Sequence, residues 1–161
     1  MKQIHPHYPI HRNTMALLPA NQIDYHSIAI ETNKQLYVRQ TPLEIMKQAC
    51  LERFTTYDGI RKAVYKRMKF KRKVPIPINP FVNIYFFPTH AMDDYNCHWI
   101  SYYHVLRVIN NKNPQANNPS STILFKNGQH LDIDVSSYIL RKQMRRTREY
   151  VDRYLHGMST V

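Results

Sequence analysis

Residues 79–89 read NPFVNIYFFPT and residues 97–105 read CHWISYYHV, and these two runs decide the fold of the chain. Together they hold three of its six phenylalanines and its single tryptophan, Trp99. Aromatic and β-branched side chains fit a pleated, half-buried surface. The runs therefore predict two core strands, joined through a polar loop at Met92-Asp93-Asp94.

More strands are predicted on the N-terminal side of this pair. Residues 15–18 are apolar and indicate a strand. Apolar residues at 28–30 and at 36–38 flank a turn at Thr32-Asn33-Lys34, which is typical of a β-hairpin.

A second hairpin is predicted near the C-terminus. Asn127-Gly128 is the preferred pair for a type I′ turn. Such a turn places Leu124 opposite Leu131, and Thr122 opposite Ile133.

An early helix is predicted from its start signals. Thr41 can act as the N-cap, Pro42 suits the first helical position, and Glu44 completes a capping box. One face of this helix carries apolar residues at helical spacing: Leu43, Met46, Cys50 and Phe54. Cys50 is thus expected to point inward and to be structural rather than reactive.

A late helix is predicted from Ser136 or Ser137 onward. An apolar stripe follows at Leu140, Met144, Val151 and Leu155, and Gly157 is expected to end the helix. The fold class is therefore α+β: a mostly antiparallel sheet with one early and one C-terminal helix.

The chain of 161 residues is long enough for one domain with a real core. We expect a flexible tail over residues 1–14, one domain over residues 15–157, and a short end over residues 158–161. Residues 110–121 are rich in Asn, Pro and Ser and predict an exposed loop.

Positive charge is the main indication of function, with a formal net charge of +12. Eight basic residues lie within residues 61–73, and no acidic residue occurs from Gly59 to Met92. Such a run repels itself unless it meets a polyanion, so it favours nucleic acid as the partner. The candidate contacts of this basic arm are Arg61, Lys62, Lys66, Arg67, Lys69, Lys71, Arg72 and Lys73.

The sequence is compatible with either a strand or a helix for this arm. Alternation puts Arg67, Lys69, Lys71 and Lys73 on one strand face, whereas Lys62, Lys66, Lys69 and Lys73 fit one helical face. A strand or β-arm is favoured, because the Val74–Pro77 segment that follows contains two prolines and cannot continue a helix.

The late helix carries a second basic stripe at Arg141, Arg145 and Arg148. Contact with phosphates is about as well supported as an ordinary amphipathic surface helix, which Glu149 and Asp152 would partly neutralise.

Metal binding and catalysis are not expected. A possible ligand set exists at His90, Asp93, Asp94, Cys97, His98 and His104, but its spacing matches no zinc signature. No convincing catalytic triad or dyad can be proposed, and no cofactor motif is present.

The two cysteines make no disulfide framework, which favours a reducing cytoplasm. No secretory signal or apolar run of membrane-spanning length is present, so no membrane partner is expected.

Several short motifs, in order, resemble the competence transcription factor family ComK. They are Leu17-Leu18-Pro19, Pro42-Leu43-Glu44-Ile45 leading to Cys50, Tyr57-Asp58-Gly59 with Arg61-Lys62, Asn79-Pro80 leading into Ile84–Thr89, Cys97–Ser101 with His104-Val105, and Phe125–Gly128. The match runs from about Met15 to about Tyr150. Ile60 departs from the pattern as an insertion between Gly59 and Arg61.

This resemblance implies a cytosolic, DNA-binding transcriptional activator of DNA-uptake genes. It implies binding of paired A-tract and T-tract elements in AT-rich promoters, largely through the minor groove, as a dimer or higher multimer. RNA polymerase and a Clp adaptor are implied as further partners. The chain ends at Val161, sooner than longer members whose C-terminal tail is associated with adaptor capture and Clp-type proteolysis.

A fainter resemblance, carried by Trp99–Val105 and the Asn127-Gly128 hairpin before a helix, is to the LytTR class of DNA-binding domain. It implies an elongated, mostly β architecture. Two rival functions remain: a basic RNA-binding protein, and a metal-dependent nuclease built from the loop histidines and aspartates.

Overall fold

The computed structural model describes residues 2–111 and 119–159, with side chains described as far as Tyr154. Within these residues the strands are β1 (Ile4–His5), β2 (Thr14–Pro19), β3 (Ser27–Glu31), β4 (Gln35–Val38), β5 (Ile76–Asn79), β6 (Ile84–Pro88), β7 (Trp99–Ser101), β8 (Val105–Asn110), β9 (Ser121–Phe125) and β10 (His130–Ile133). The helices are α1 (Pro42–Glu52), α2 (Tyr57–Met68) and α3 (Ser137–Ser159).

The strands form two sheets. A seven-stranded sheet has the order β1-β4-β3-β2-β7-β6-β5, and a three-stranded sheet has the order β10-β9-β8. All neighbouring strands are antiparallel except β1 and β4. The α+β class with a mostly antiparallel sheet is confirmed.

The predicted central pair is confirmed in β6 and β7. Phe87 lies opposite Ile100 in their register. Trp99 is fully buried, and its ring packs edge-on against Tyr57 of α2, with centroids 6.0 Å apart. This pair divides two apolar clusters, since Phe86 and Trp99 lie in one and Phe87 and Ile100 in the other.

Helix α1 begins as predicted. The Thr41 hydroxyl accepts from the Glu44 N–H, and the Glu44 carboxylate accepts from the Thr41 N–H. Cys50 is buried, and burial raises the pKa of its thiol to about 11, consistent with a structural role. Phe54 was expected on the buried face but is fully exposed. The helix ends at Glu52, and the left-handed backbone of Phe54 (φ 60°) turns its side chain outward.

The favoured strand or β-arm over residues 61–73 is wrong, because most of it is helix α2. This helix stops at Met68, where Lys69 adopts a left-handed C-cap (φ 63°) whose N–H bonds the Tyr65 carbonyl. The prolines start only at Pro75, so they place no constraint on the helix.

The second hairpin forms, but not with the expected turn. The Gly128 N–H bonds the Phe125 carbonyl, and Gly128 has φ +92°. A type I′ turn needs positive φ at both central residues, and Asn127 lacks it. The three-residue loop that results shifts the register by one, so Leu124 faces His130 and Leu131 faces Ile123.

The two chain ends differ from expectation. Residues 1–14 were expected as a tail, but β1 pairs with β4, and Tyr8 is buried. Helix α3 continues past Gly157 to Ser159. Of the predicted loop over residues 110–121, residues 112–118 lie outside the described residues, and Asn110 and Ser121 belong to β8 and β9. None of the helices that the structure describes is long and apolar enough to cross a membrane.

Candidate nucleic-acid interface

Helix α2 presents a cationic outer face. The Thr56 hydroxyl caps it by accepting from the Gly59 N–H at 3.0 Å. Val64 is buried, whereas Lys62 and Lys66, one helical turn apart, are exposed. The helix therefore holds these two ammonium groups on one side while its apolar side contacts the core.

A five-residue turn, Lys69–Lys73, follows the helix. Lys69 and Lys73 both adopt left-handed φ values, 63° and 51°, a conformation that is uncommon for residues other than Gly. Lys69, Lys71 and Arg72 are exposed. The turn thus crowds three exposed cations beside the end of α2; we call α2 and this turn the α2 basic surface.

Two side chains of helix α3 hydrogen-bond to the backbone of the basic turn. The Gln143 amide donates to the carbonyls of Lys73 at 2.8 Å and Pro88 at 2.7 Å. The Arg146 guanidinium donates to the Arg72 carbonyl at 2.7 Å. It also lies 4.4 Å from the centre of the Phe70 ring. These contacts fix the turn without consuming its exposed charges.

Few of the cations on the α2 basic surface have a carboxylate partner. Among the described residues of this surface, only Arg61 meets ion-pair geometry, at 3.8 Å from Asp58. The side chains of Lys62, Lys66 and Lys71 therefore remain unneutralised within the described part of the chain. This electrostatic arrangement suits a polyanion.

A second cationic surface lies on the opposite flank of α3. Arg141, Arg145 and Arg148 line one cleft of about 330 Å³ together with Tyr102 and Val108. The Arg141 guanidinium donates to the Val108 carbonyl at 3.2 Å, which ties the helix to β8. The structure thus brings these three predicted residues together; their role in binding stays a prediction.

Three side chains of the possible metal-ligand set, on which no metal binding was expected, contact backbone carbonyls. The Cys97 thiol donates to the His90 carbonyl, the His98 Nδ1 contacts the Asn96 carbonyl at 2.8 Å, and the His104 Nε2 contacts the Arg12 carbonyl at 2.6 Å. Burial raises the pKa of Cys97 to about 11. No group of three His, Cys, Asp or Glu side chains suited to a metal ion occurs within the described residues.

Sequence reasoning missed the two residues that hold the basic turn. Gln143 is 1% exposed and lies on the same face of α3 as the buried residues Leu140 and Thr147. A polar residue on the buried face of an amphipathic helix signals a partner to be satisfied. Arg146 carries a weaker signal, because it stands among other arginines.

The described residues therefore form a basic α+β protein whose last helix separates two cationic surfaces. Residues 5–156 match the ComK protein family. The competence transcription factor of Bacillus subtilis (strain 168) is 31% identical over 143 residues, which cover 87% of this chain and 71% of that protein. The chain belongs to the ComK family, as its motifs predict. No solved structure matches it, so the LytTR-like architecture stays a prediction.

Proposed function

We propose that this protein is a DNA-binding transcriptional regulator, an activator of competence and DNA-uptake genes that acts in the cytoplasm without catalysis. The observation that carries the proposal is the unneutralised α2 basic surface in a member of the ComK family. Each phosphate that a Lys or Arg neutralises releases counterions, so such a surface binds duplex DNA most strongly at low salt.

The turn, rather than the helix, is the part that fits a narrow minor groove. That groove is about 6 Å wide, whereas an α-helix with its side chains is about 10 Å across. Lys69, Lys71 and Arg72 are exposed on the turn. We therefore assign minor-groove entry to these side chains and flanking phosphate contacts to Lys62 and Lys66.

A-tract DNA is the expected target of this mode of binding. A-tracts have a narrow minor groove with enhanced negative potential, which attracts inserted Arg and Lys side chains. Arg141, Arg145 and Arg148 would hold neighbouring phosphates and set the register, since phosphate contacts position a protein without reading sequence. Paired elements would recruit two or more copies of the chain, and RNA polymerase and a Clp adaptor are further proposed partners.

Three rings of the aromatic runs are unavailable for stacking on RNA bases, whereas Phe81 and Tyr103 of the same runs are exposed. Sequence-specific RNA recognition stacks unpaired bases on exposed aromatic rings. Phe86, Phe87 and Trp99 are at most 1% exposed and cannot serve as stacking platforms.

A gel-shift competition tests the proposal. The probes are an A-tract/T-tract duplex, a scrambled duplex of the same composition, and a structured RNA hairpin. We expect the A-tract duplex to bind most tightly. Equal affinity for both duplexes would contradict sequence-specific binding, preference for the hairpin would support the RNA-binding rival, and metal-dependent cleavage would support the nuclease.

A further inference from the structure

An apolar groove separates α2 from α3 on the side of the molecule where β5 ends the large sheet. Its volume is about 580 Å³. Most of the lining is apolar or aromatic and includes Val64, Met68, Pro77 and Tyr150. Its size and character are those of small-molecule pockets. We call it the α2–α3 groove.

Two cations border this groove. Arg67 of α2 and Arg153 of α3 belong to its lining, and no lining residue in the described part of the chain is acidic. Among the described residues, the one hydrogen-bond contact of the Arg153 guanidinium is weak, at 3.8 Å from the Met68 sulfur. Neither arginine meets ion-pair geometry with a described carboxylate. An apolar cavity with guanidinium groups from both helices is complementary to an anionic head on an apolar body.

We propose that the α2–α3 groove binds a small amphipathic carboxylate, in which the apolar part packs on Met68 and Tyr150 and the carboxylate meets Arg67 and Arg153. Guanidinium groups pair with carboxylates through short, charge-assisted hydrogen bonds. The ligand would replace water against an apolar floor, which gives the driving force for its tail.

DNA and a β-strand peptide fit this groove less well. DNA offers no apolar tail of this size to the floor. A peptide that adds to a sheet edge needs main-chain hydrogen bonds, but the edge strand β5 carries Pro77, which lacks an N–H.

Occupancy of the groove would link the two helices. Arg67 and Val64 belong to α2, whereas Tyr150 and Arg153 belong to α3. A ligand that contacts both would fix α2 relative to α3 and so the cations that α2 presents. The groove would then act as a ligand site that adjusts the α2 basic surface.

Methyl NMR of the full chain, without DNA, tests the binding step. The chain is labelled at its methionine methyl groups, and the Met68 resonance is assigned with Met68→Leu. Decanoate is the probe, kept below its micelle concentration, and decanol is the neutral control. We expect a saturable Met68 shift with decanoate, and affinity for decanol weaker by about tenfold, because the charge-assisted bonds are lost.

Matched variants test the head-group contact. Arg153→Ala should weaken decanoate binding by about threefold, less than the change from decanoate to decanol, because Arg67 still pairs with the carboxylate. Lys142→Ala removes the same charge from an exposed position of the same helix and should leave decanoate binding unchanged. Absence of a saturable Met68 shift, or an equal loss in both variants, would overturn the proposal. Since no DNA is present, that failure would be distinct from failure of DNA binding.

Two further measurements distinguish other occupants of the groove. An acidic, leucine-containing peptide that shifts Met68 when decanoate does not would overturn the proposal in favour of a protein partner. A Met68 shift that follows protein concentration, together with a larger sedimentation coefficient, would overturn it in favour of a second copy of the chain.

Discussion

The guanidinium of Arg146 donates a 2.7 Å hydrogen bond to the backbone carbonyl of Arg72, across 74 residues of sequence. A cation of α3 is thus bound to the backbone of a basic turn whose side chains it would repel. Burial lowers the pKa of Arg146, while the charge of Glu149 opposes that effect. The turn is therefore held by α3, and its exposed side chains are left for a ligand.

Gln143→Met should destabilise the protein because it removes hydrogen bonds to the backbone at the same turn. The amide of Gln143 supplies hydrogen bonds to the carbonyls of Lys73 and Pro88, and methionine cannot replace them. A buried polar group left without a partner costs about 1–3 kcal/mol. Denaturant unfolding measures this loss, and the exposed Lys142→Met is the control. Equal stability of the two variants would contradict the role assigned to Gln143.

Trp99→Ala should act on stability and not selectively on DNA binding. Trp99 is fully buried, and truncating such a ring costs about 3–5 kcal/mol. Phe81→Ala, at a ring that is 66% exposed, is the control and should melt close to the parent protein. A Trp99→Ala protein that melts normally but does not bind DNA would place this ring in the interface instead.

The stability of the folded protein should decrease at acid pH as the Glu31 carboxylate becomes protonated. Burial alone would raise the pKa of this carboxyl, but hydrogen bonds from Tyr8 and His11, with the charge of Lys34, hold it below its usual value. The Tyr8 hydroxyl donates at 2.6 Å, and the His11 Nε2 lies at 2.7 Å. A depressed folded-state pKa contributes stability above the pKa of the unfolded chain, and that stability is lost as pH falls through the folded value.

Urea unfolding across the acid range measures this effect. Glu31→Gln should be less stable than the parent near neutral pH, and the difference should shrink as the pH falls. Glu52→Gln, which removes an exposed carboxylate of α1, should have little effect on the pH profile. A pH profile of Glu31→Gln that runs parallel to the parent's would contradict the contribution of the Glu31 carboxylate.

Metal removal should leave DNA binding unchanged. The side chains of Cys97, His98 and His104 each contact a backbone carbonyl. Elemental analysis of untagged protein should find metal near zero, and a gel shift in chelator should match one without it. Stoichiometric zinc, or magnesium-dependent nicking of plasmid, would support the nuclease instead.

The parts of the fold that sequence reasoning predicted are those set by local signals. The Thr41–Glu44 capping box needs only residues three apart, and the aromatic pair β6–β7 is marked by its own composition. Helix α2 was wrongly predicted as a strand or β-arm, and its end was not marked, because Lys69 takes a left-handed conformation at a position without glycine. Contacts over long separations, such as Gln143 with Lys73, leave no pattern of spacing to detect.

The candidate site was predicted at the level of charge and not of shape. The eight basic residues of 61–73 are evident in the sequence, yet Pro75 was given too much weight and suggested a strand. The grouping of Arg141, Arg145 and Arg148 followed from helical spacing, and they share one cleft. The apolar floor between α2 and α3 could not be predicted, because it depends on how two distant helices approach β5.

The central claim, that the α2 basic surface supplies the affinity for DNA, is tested most directly by the salt dependence of binding. The variant changes Lys66, Arg67, Lys69 and Lys71 together to Ala, and the affinity for an A-tract duplex is measured over a series of salt concentrations. We expect weaker binding, a shallower slope of log affinity against log salt, and a nearly unchanged melting temperature. An unchanged slope would show that these cations do not contact phosphate and would contradict the account.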